Sequence, residues 1–128
     1  MRFLLDTHTL LWSFNASASL SPRARRLIEN GSNELLVSAA SAWEIATKVR
    51  LGKLPTGDEL VADFDRSLAQ LGCDALPISL KHAVRAGGLA GEHRDPFDRM
   101  LIAQAQEENL PIISNDRIFD TYHVRRVW

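Results

Sequence analysis

Phe3-Leu4-Leu5-Asp6-Thr7-His8 and Leu35-Leu36-Val37-Ser38 decide the fold. Each is a short apolar run that stops on a polar residue. A strand covered on both faces reads this way, as a run of large aliphatics with no alternation, and such strands belong to parallel sheets. The same pattern, followed each time by a longer stretch of helical period, recurs along the chain. Strands are predicted at Arg2 to Leu5, Leu35 to Val37, Ala75 to Ile78 and Pro111 to Ser114, with an edge strand at Val124 to Val127. Strand alternating with helix predicts an α/β fold around a mostly parallel sheet.

The intervening segments carry helix signals. A short helix is expected over Thr9 to Phe14. Ser21-Pro22 places a capping hydroxyl before a proline at the first helical position, and Asn30-Gly31 stops that helix. Ser38 or Ser41 caps a helix through Leu51, ended by Gly52. Leu60, Val61, Phe64, Leu68 and Leu71 share one face of a single helix expected from Thr56 to Gly72. Ser79 caps a helix to about Ala90, and Asp95-Pro96 opens another that runs to Glu108.

The 128 residues match one domain, 1–128, with no repeat, linker or low-complexity tract. At 45% hydrophobic and 24% charged, the chain is too apolar for a disordered one. A net charge of -1 excludes a polycation, so nucleic acid would have to meet a local basic patch. The single cysteine, Cys73, excludes an intrachain disulfide and a zinc site built on cysteine pairs. Asp6 halts the first apolar run well short of an export signal, and no stretch approaches the roughly 20 apolar residues of a membrane span. The expectation is a cytoplasmic protein with no membrane partner.

Four acids stand where a parallel sheet gathers its functional groups. Asp6 follows the first strand, Glu44 lies in the first turns of the helix after the second, Asp98 lies in the first turn of its helix, and Asp116 follows the late strand. Strand C-termini and the helix N-termini that follow them share one edge, where ligands bind. Ionised carboxylates crowded there repel unless a cation lies between them. Hard oxygen donors without cysteine point to Mg²⁺ or Mn²⁺, which keeps waters and takes phosphate oxygens. Such a site suits phosphodiester hydrolysis by a metal-activated water, with Glu44 or Asp116 assisting as base. Each acid also has a local explanation: Asp6 as a helix cap, Asp95 and Asp98 as cap and third residue of a helix start, Asp116 as an Asx-turn with Asn115, Glu44 as a half-exposed surface acid.

Phe3 to His8, Ser41-Ala42-Trp43-Glu44-Ile45-Ala46-Thr47-Lys48, His93-Arg94-Asp95-Pro96-Phe97-Asp98-Arg99-Met100-Leu101-Ile102-Ala103-Gln104-Ala105 and Ser114-Asn115-Asp116-Arg117-Ile118-Phe119 together resemble the PIN-domain nucleases. Within these they are similar to the VapC-type toxins of toxin–antitoxin pairs, and the likeness runs from about Arg2 to Tyr122. The resemblance implies a three-layer α/β/α sandwich with a parallel sheet, an Mg²⁺- or Mn²⁺-dependent endoribonuclease, a homodimer, and inhibition by a small DNA-binding antitoxin. By position it implies metal-holding and catalytic roles for Asp6, Glu44, Asp98 and Asp116. Asp95 is an additional acid, either a cap or a member of the metal's surroundings. His8, His93, Arg94, Arg99 and Asn115 are expected near RNA, with Ser114 beside them. Lys48, Arg50 and Lys53 form a basic stretch that either favours the end of its own helix or lines a groove. Trp12, Trp43 and Trp128 read as core or interface residues.

Three other readings compete. A receiver domain, a non-enzymatic signalling module, would want adjacent acids after the first strand and a lysine near the last. A haloacid-dehalogenase-type phosphatase would want Asp-x-Asp where Asp6-Thr7-His8 stands. A PIN domain serving RNA processing has the same chemistry as a toxin.

Overall fold

Side-chain alternation along the strands sorts the hydrophobic residues into two cores. In the computed structural model, which describes residues 1–128, β1 (Arg2–Leu5) sends Phe3 and Leu5 to one face and Leu4 to the other. β2 (Glu34–Ser38) follows in register, with Leu35 and Val37 beside Phe3 and Leu5, and Leu36 beside Leu4. β4 (Ile112–Ile113) divides its two isoleucines in the same way. Each fully buried leucine or isoleucine contributes roughly 1.5–3 kcal/mol.

β3 (Cys73–Leu76) and β5 (Arg126–Val127) complete a five-stranded sheet in the order β3-β2-β1-β4-β5, and every pairing is parallel. On one face lie α1 (Thr7–Phe14), α2 (Pro22–Glu29), α3 (Ala39–Arg50), α4 (Asp58–Ala62) and α5 (Phe64–Leu71). On the other lie α7 (Pro96–Glu108) and α8 (Ile118–Thr121), with α6 (Leu80–Gly88) packed against α7. The expected three-layer sandwich is present, with a sheet that is wholly parallel.

Local differences from the sequence reading have physical causes. α1 begins at Thr7 because Asp6 caps it. Ser38, and not Ser41, caps α3; Ser41 is buried inside the helix. The helix expected from Thr56 to Gly72 is a 3-10 turn at Pro55–Gly57 followed by α4 and α5. It breaks at Asp63, whose side chain accepts the Arg66 N–H and starts a new helix. β3 ends at Leu76, because Pro77 has no N–H to give the ladder. α8 was not expected; it is a single turn after the Asp116 loop.

The topology positions the site. The chain passes from β1 to β2 and β3 on one side, then returns to place β4 on the other side of β1. β1 and β4 therefore flank a switch point, and the crevice beyond their C-terminal ends is where a doubly wound sheet binds ligands.

Candidate metal centre

Asp6 stands at the C-terminal end of β1 and is 4% exposed. Its Oδ1 accepts the Thr7 N–H at 2.7 Å, which caps α1. Its Oδ2 accepts the Ser114 hydroxyl at 2.7 Å. Ser114 is fully buried at the end of β4, so this bond crosses the switch point between residues 108 apart in sequence. Two further bonds fasten the same corner: Asp6 N–H to Ile113 O at 3.2 Å, and Thr9 Oγ1 to Ile113 O at 2.7 Å. Burial raises the Asp6 carboxyl above the ordinary value of 3.8; Ser114, Thr7 and His8 pull it back, and the charge of Asp116 adds to the rise.

Asp98 faces this corner from the first turn of α7. Burial pushes its carboxyl up to about 6, against a hydrogen bond from His93, with Asp95 and Asp6 pushing the same way as burial. Asp6 thus acts on Asp98 through space. A buried and a half-buried acid from different elements, both with raised carboxyls, form an arrangement concentrated at functional sites.

Glu44 is 6% exposed on α3, and Lys48 one turn on reaches its Oε2 at 2.6 Å. The half-exposed acid considered from sequence is therefore a buried one with its own cation. The i, i+4 spacing was the signal for that pair; the sequence reading gave Lys48 to the helix end or to RNA instead. Thr7 and Ser41 share a hydroxyl bond of 2.9 Å that ties α1 to α3 beneath these acids.

The remaining candidates are placed as follows. Asp116 is exposed; its Oδ1 accepts the Ile118 N–H at 3.0 Å and its own N–H goes to Ser114 Oγ at 3.0 Å. Asp95 caps α7, its Oδ1 accepting from Phe97 N at 2.9 Å and Asp98 N at 3.1 Å. His93 Nε2 lies 2.9 Å from Asp98 Oδ2. His8 is exposed and stacks on Trp12 at 5.7 Å. Arg94 and Asn115 are exposed. Arg99, expected near RNA, is instead engaged with the main-chain carbonyls of Ala86 in α6 and of Leu89 and His93 in the α6–α7 loop, because the helix turns it away from Asp98 and toward α6.

No three His, Cys, Asp or Glu side chains converge as a ready-made metal cage. Each acid has instead found a local donor: Ser114 on Asp6, His93 on Asp98, Lys48 on Glu44. Of the four acids expected together, Asp6 acts on Asp98, Asp116 acts on Asp6 from the rim, and Glu44 is paired with Lys48. That set fits Mg²⁺, which takes one or two carboxylates and completes its octahedron with water and phosphate oxygens. It does not fit zinc, which wants nitrogen and sulfur donors.

The PIN domain family model matches residues 3–124. Ribonuclease VapC16 of Mycobacterium tuberculosis is 39% identical over 59 residues, a stretch covering 46% of this chain and 40% of that protein's length. The DNA-bound VapBC structure from Salmonella typhimurium superposes with a TM-score of 0.69 at 18% identity, over 99% of this chain and 97% of that one. VapC20 of Mycobacterium tuberculosis, described as a Sarcin-Ricin loop cleaving toxin, gives 0.67 at 13% identity, over 98% of each chain. The family match spans every strand but the last and all the acids of the corner, and the chain belongs to the PIN domain family.

Proposed function

We propose that this chain is a divalent-metal-dependent endoribonuclease and the toxin of a toxin–antitoxin pair. The observation that carries the reading is the acidic corner at the β1/β4 switch point: buried Asp6, fixed by Ser114 and the Thr7 N–H, with half-buried Asp98 close enough that Asp6 raises the cost of its charge. Asp6 and Asp98 would hold Mg²⁺ or Mn²⁺, with Glu44 and Asp116 reached through water. Such a cation supplies the positive charge that activates a water at neutral pH and stabilises the leaving oxygen of a phosphodiester.

The chain's own residues do the rest. Ser114 and the Thr7 N–H fix the orientation of the Asp6 carboxylate. His93 does the same for Asp98. Lys48 neutralises Glu44, and with exposed Arg50 and Lys53 on the same stretch it draws an RNA backbone toward an otherwise acidic edge. Exposed Arg94 and Asn115 border that edge.

A homodimer is supported by an exposed apolar face. Trp43 is 64% exposed, Leu80 86% and Val84 76%, and Trp43 packs edge-on against Phe97 at 5.1 Å. Leu80 and Val84 stand one turn apart on α6 and line one groove, and Trp43 with Ile78 lines another; large apolar side chains left open in this way mark association surfaces. A cognate DNA-binding antitoxin is supported by relatives solved as VapBC complexes on DNA.

The test is incubation of purified protein with total RNA, with and without EDTA, followed by mapping of the cut ends. Discrete cuts that vanish with EDTA and return with Mn²⁺ are expected. Intact RNA in Mn²⁺ overturns the reading. A small protein encoded beside this chain that co-purifies with it and stops the cutting separates a toxin from an RNA-processing enzyme.

A further inference from the structure

The loop between α6 and α7 sends one side chain to the acidic edge. His93 Nε2 lies 2.9 Å from Asp98 Oδ2, and since an ionised carboxylate only accepts, Nε2 carries the hydrogen. The loop is held by Arg99, the neighbour of Asp98 on α7. Its Nε donates to the Ala86 carbonyl at 3.3 Å, one terminal nitrogen donates to the His93 carbonyl at 2.9 Å, and the other donates to the Leu89 carbonyl. All three nitrogens of a half-buried guanidinium are thus engaged by main chain, at both ends of the loop. From its far side the loop is pressed by Tyr122: Gly91 sits at φ +96°, and a Cβ there would stand 2.6 Å from the Tyr122 hydroxyl oxygen. Asp98 and Arg99 point about 100° apart on their helix, one to the acids and one to the loop.

We propose that Arg99 is a positioning residue for the metal centre: by gripping the carbonyls of Ala86, Leu89 and His93 it sets the His93 ring, which in turn orients the Asp98 carboxylate. This rests on the reading of Asp6 and Asp98 as metal ligands. Hydrogen-bond partners of a ligating carboxylate fix its direction, and their loss typically costs about 10–100-fold in metal affinity. Arginine is required because its planar fork reaches three separate carbonyls at once; a lysine ammonium on the same stem is a point charge without that reach.

The experiment is calorimetric titration of Mn²⁺ into the full chain and into Arg99→Gln, Arg99→Lys, His93→Ala and the His93→Ala/Arg99→Gln double variant, with melting curves in EDTA. Each single variant is expected to weaken Mn²⁺ binding about tenfold or more. The double variant is expected to bind no more weakly than the weaker single, because both act along one path. RNA cleavage is expected to lose kcat with KM retained. Arg99→Lys keeps the aliphatic stem and carries the test if Arg99→Gln does not fold.

A lowered melting temperature with unchanged Mn²⁺ affinity would make Arg99 structural only and overturn the proposal. Additive losses in the double variant would do so too, as would a raised KM at unchanged metal affinity, which would make Arg99 an RNA contact. Wild-type protein that binds no Mn²⁺ would remove the metal centre itself and the proposal with it.

Discussion

Asp6 and Asp98 stand at one edge of the sheet, yet they are held in different ways. Asp6 is anchored by regular structure: it ends β1, caps α1, and is gripped by Ser114 from the end of β4. Its position follows from strand register and leaves little room to move. Asp98 sits in the first turn of α7, and its orientation depends on a loop histidine that a single arginine holds in place. Its exposure is correspondingly higher, with 20% of the side chain open against 4% for the whole Asp6 residue. The difference teaches that the fold itself sets the rigid half, Asp6, while side chains of a loop set the adjustable half, Asp98.

The sharpest way to break this comparison is to remove one charge from each half. Asp6→Asn and Asp98→Asn are each expected to lower RNA cleavage by more than about 100-fold, beyond the 10–100-fold typical of residues that only support a ligand. Both should keep the fold: at Asp6 an Asn caps a helix as well as Asp does, and at Asp98, inside the first turn of α7, it removes a half-buried charge. Cleavage within a few-fold of wild type in either variant would remove that acid from the centre.

Ser114→Ala addresses the rigid half. It leaves Asp6 Oδ2 buried without a donor, at a cost of about 1–3 kcal/mol in chemical denaturation. Mn²⁺ affinity is expected to fall with it, by about tenfold. Wild-type stability would mean that Asp6 finds another partner and that its half is less rigid than the hydrogen bonds imply.

Asp98 gives a pH signature for the adjustable half. Its carboxyl is raised from 3.8 to about 6, so between those values the folded chain holds a proton that the unfolded chain has released. In EDTA, the stabilising contribution is therefore full below about pH 4 and lost as pH rises through about 6. Asp6, raised by burial as well, acts in the same direction. Asp98→Asn removes the penalty of a buried charge and is expected to make the metal-free protein more stable at pH 7, by about 1–3 kcal/mol. A variant that is more stable yet inactive is the usual trade at a strained site. A flat pH profile of stability from 4 to 7 would count against burial as the source of the shift.

Asp95→Ala is the smallest of these effects. Loss of a cap costs about 0.5–2 kcal/mol, and Mn²⁺ affinity corrected for folding is expected to change less than in any variant above. Loss of Mn²⁺ binding at full stability would instead make Asp95 a ligand.

The strands and most of the helices were legible because they rest on local patterns. Apolar runs ended by Asp6 and Ser38 mark parallel strands, and Ser21-Pro22 and Asp95-Pro96 mark helix starts. Asp63 was hidden because Leu60, Phe64, Leu68 and Leu71 keep one helical phase across the break. The bond from Ser114 to Asp6 joins residues 108 apart, a distance that no local pattern spans. Arg99 was placed with RNA because it neighbours Asp98 in sequence; on a helix, neighbours face different directions. The Glu44–Lys48 pair was the one legible feature that the sequence reading passed over, since its spacing is that of a helical ion pair.

The most direct test of the centre needs no RNA. Melting curves of wild type, Asp6→Asn and Asp98→Asn are compared in EDTA and in millimolar Mn²⁺. A cation bound only by the folded chain raises its stability, by about 2.7 kcal/mol at one hundred times Kd. The account requires a clear rise in melting temperature for wild type that is lost in both variants. A wild-type curve unmoved by Mn²⁺, or a rise that survives in both variants, would contradict it.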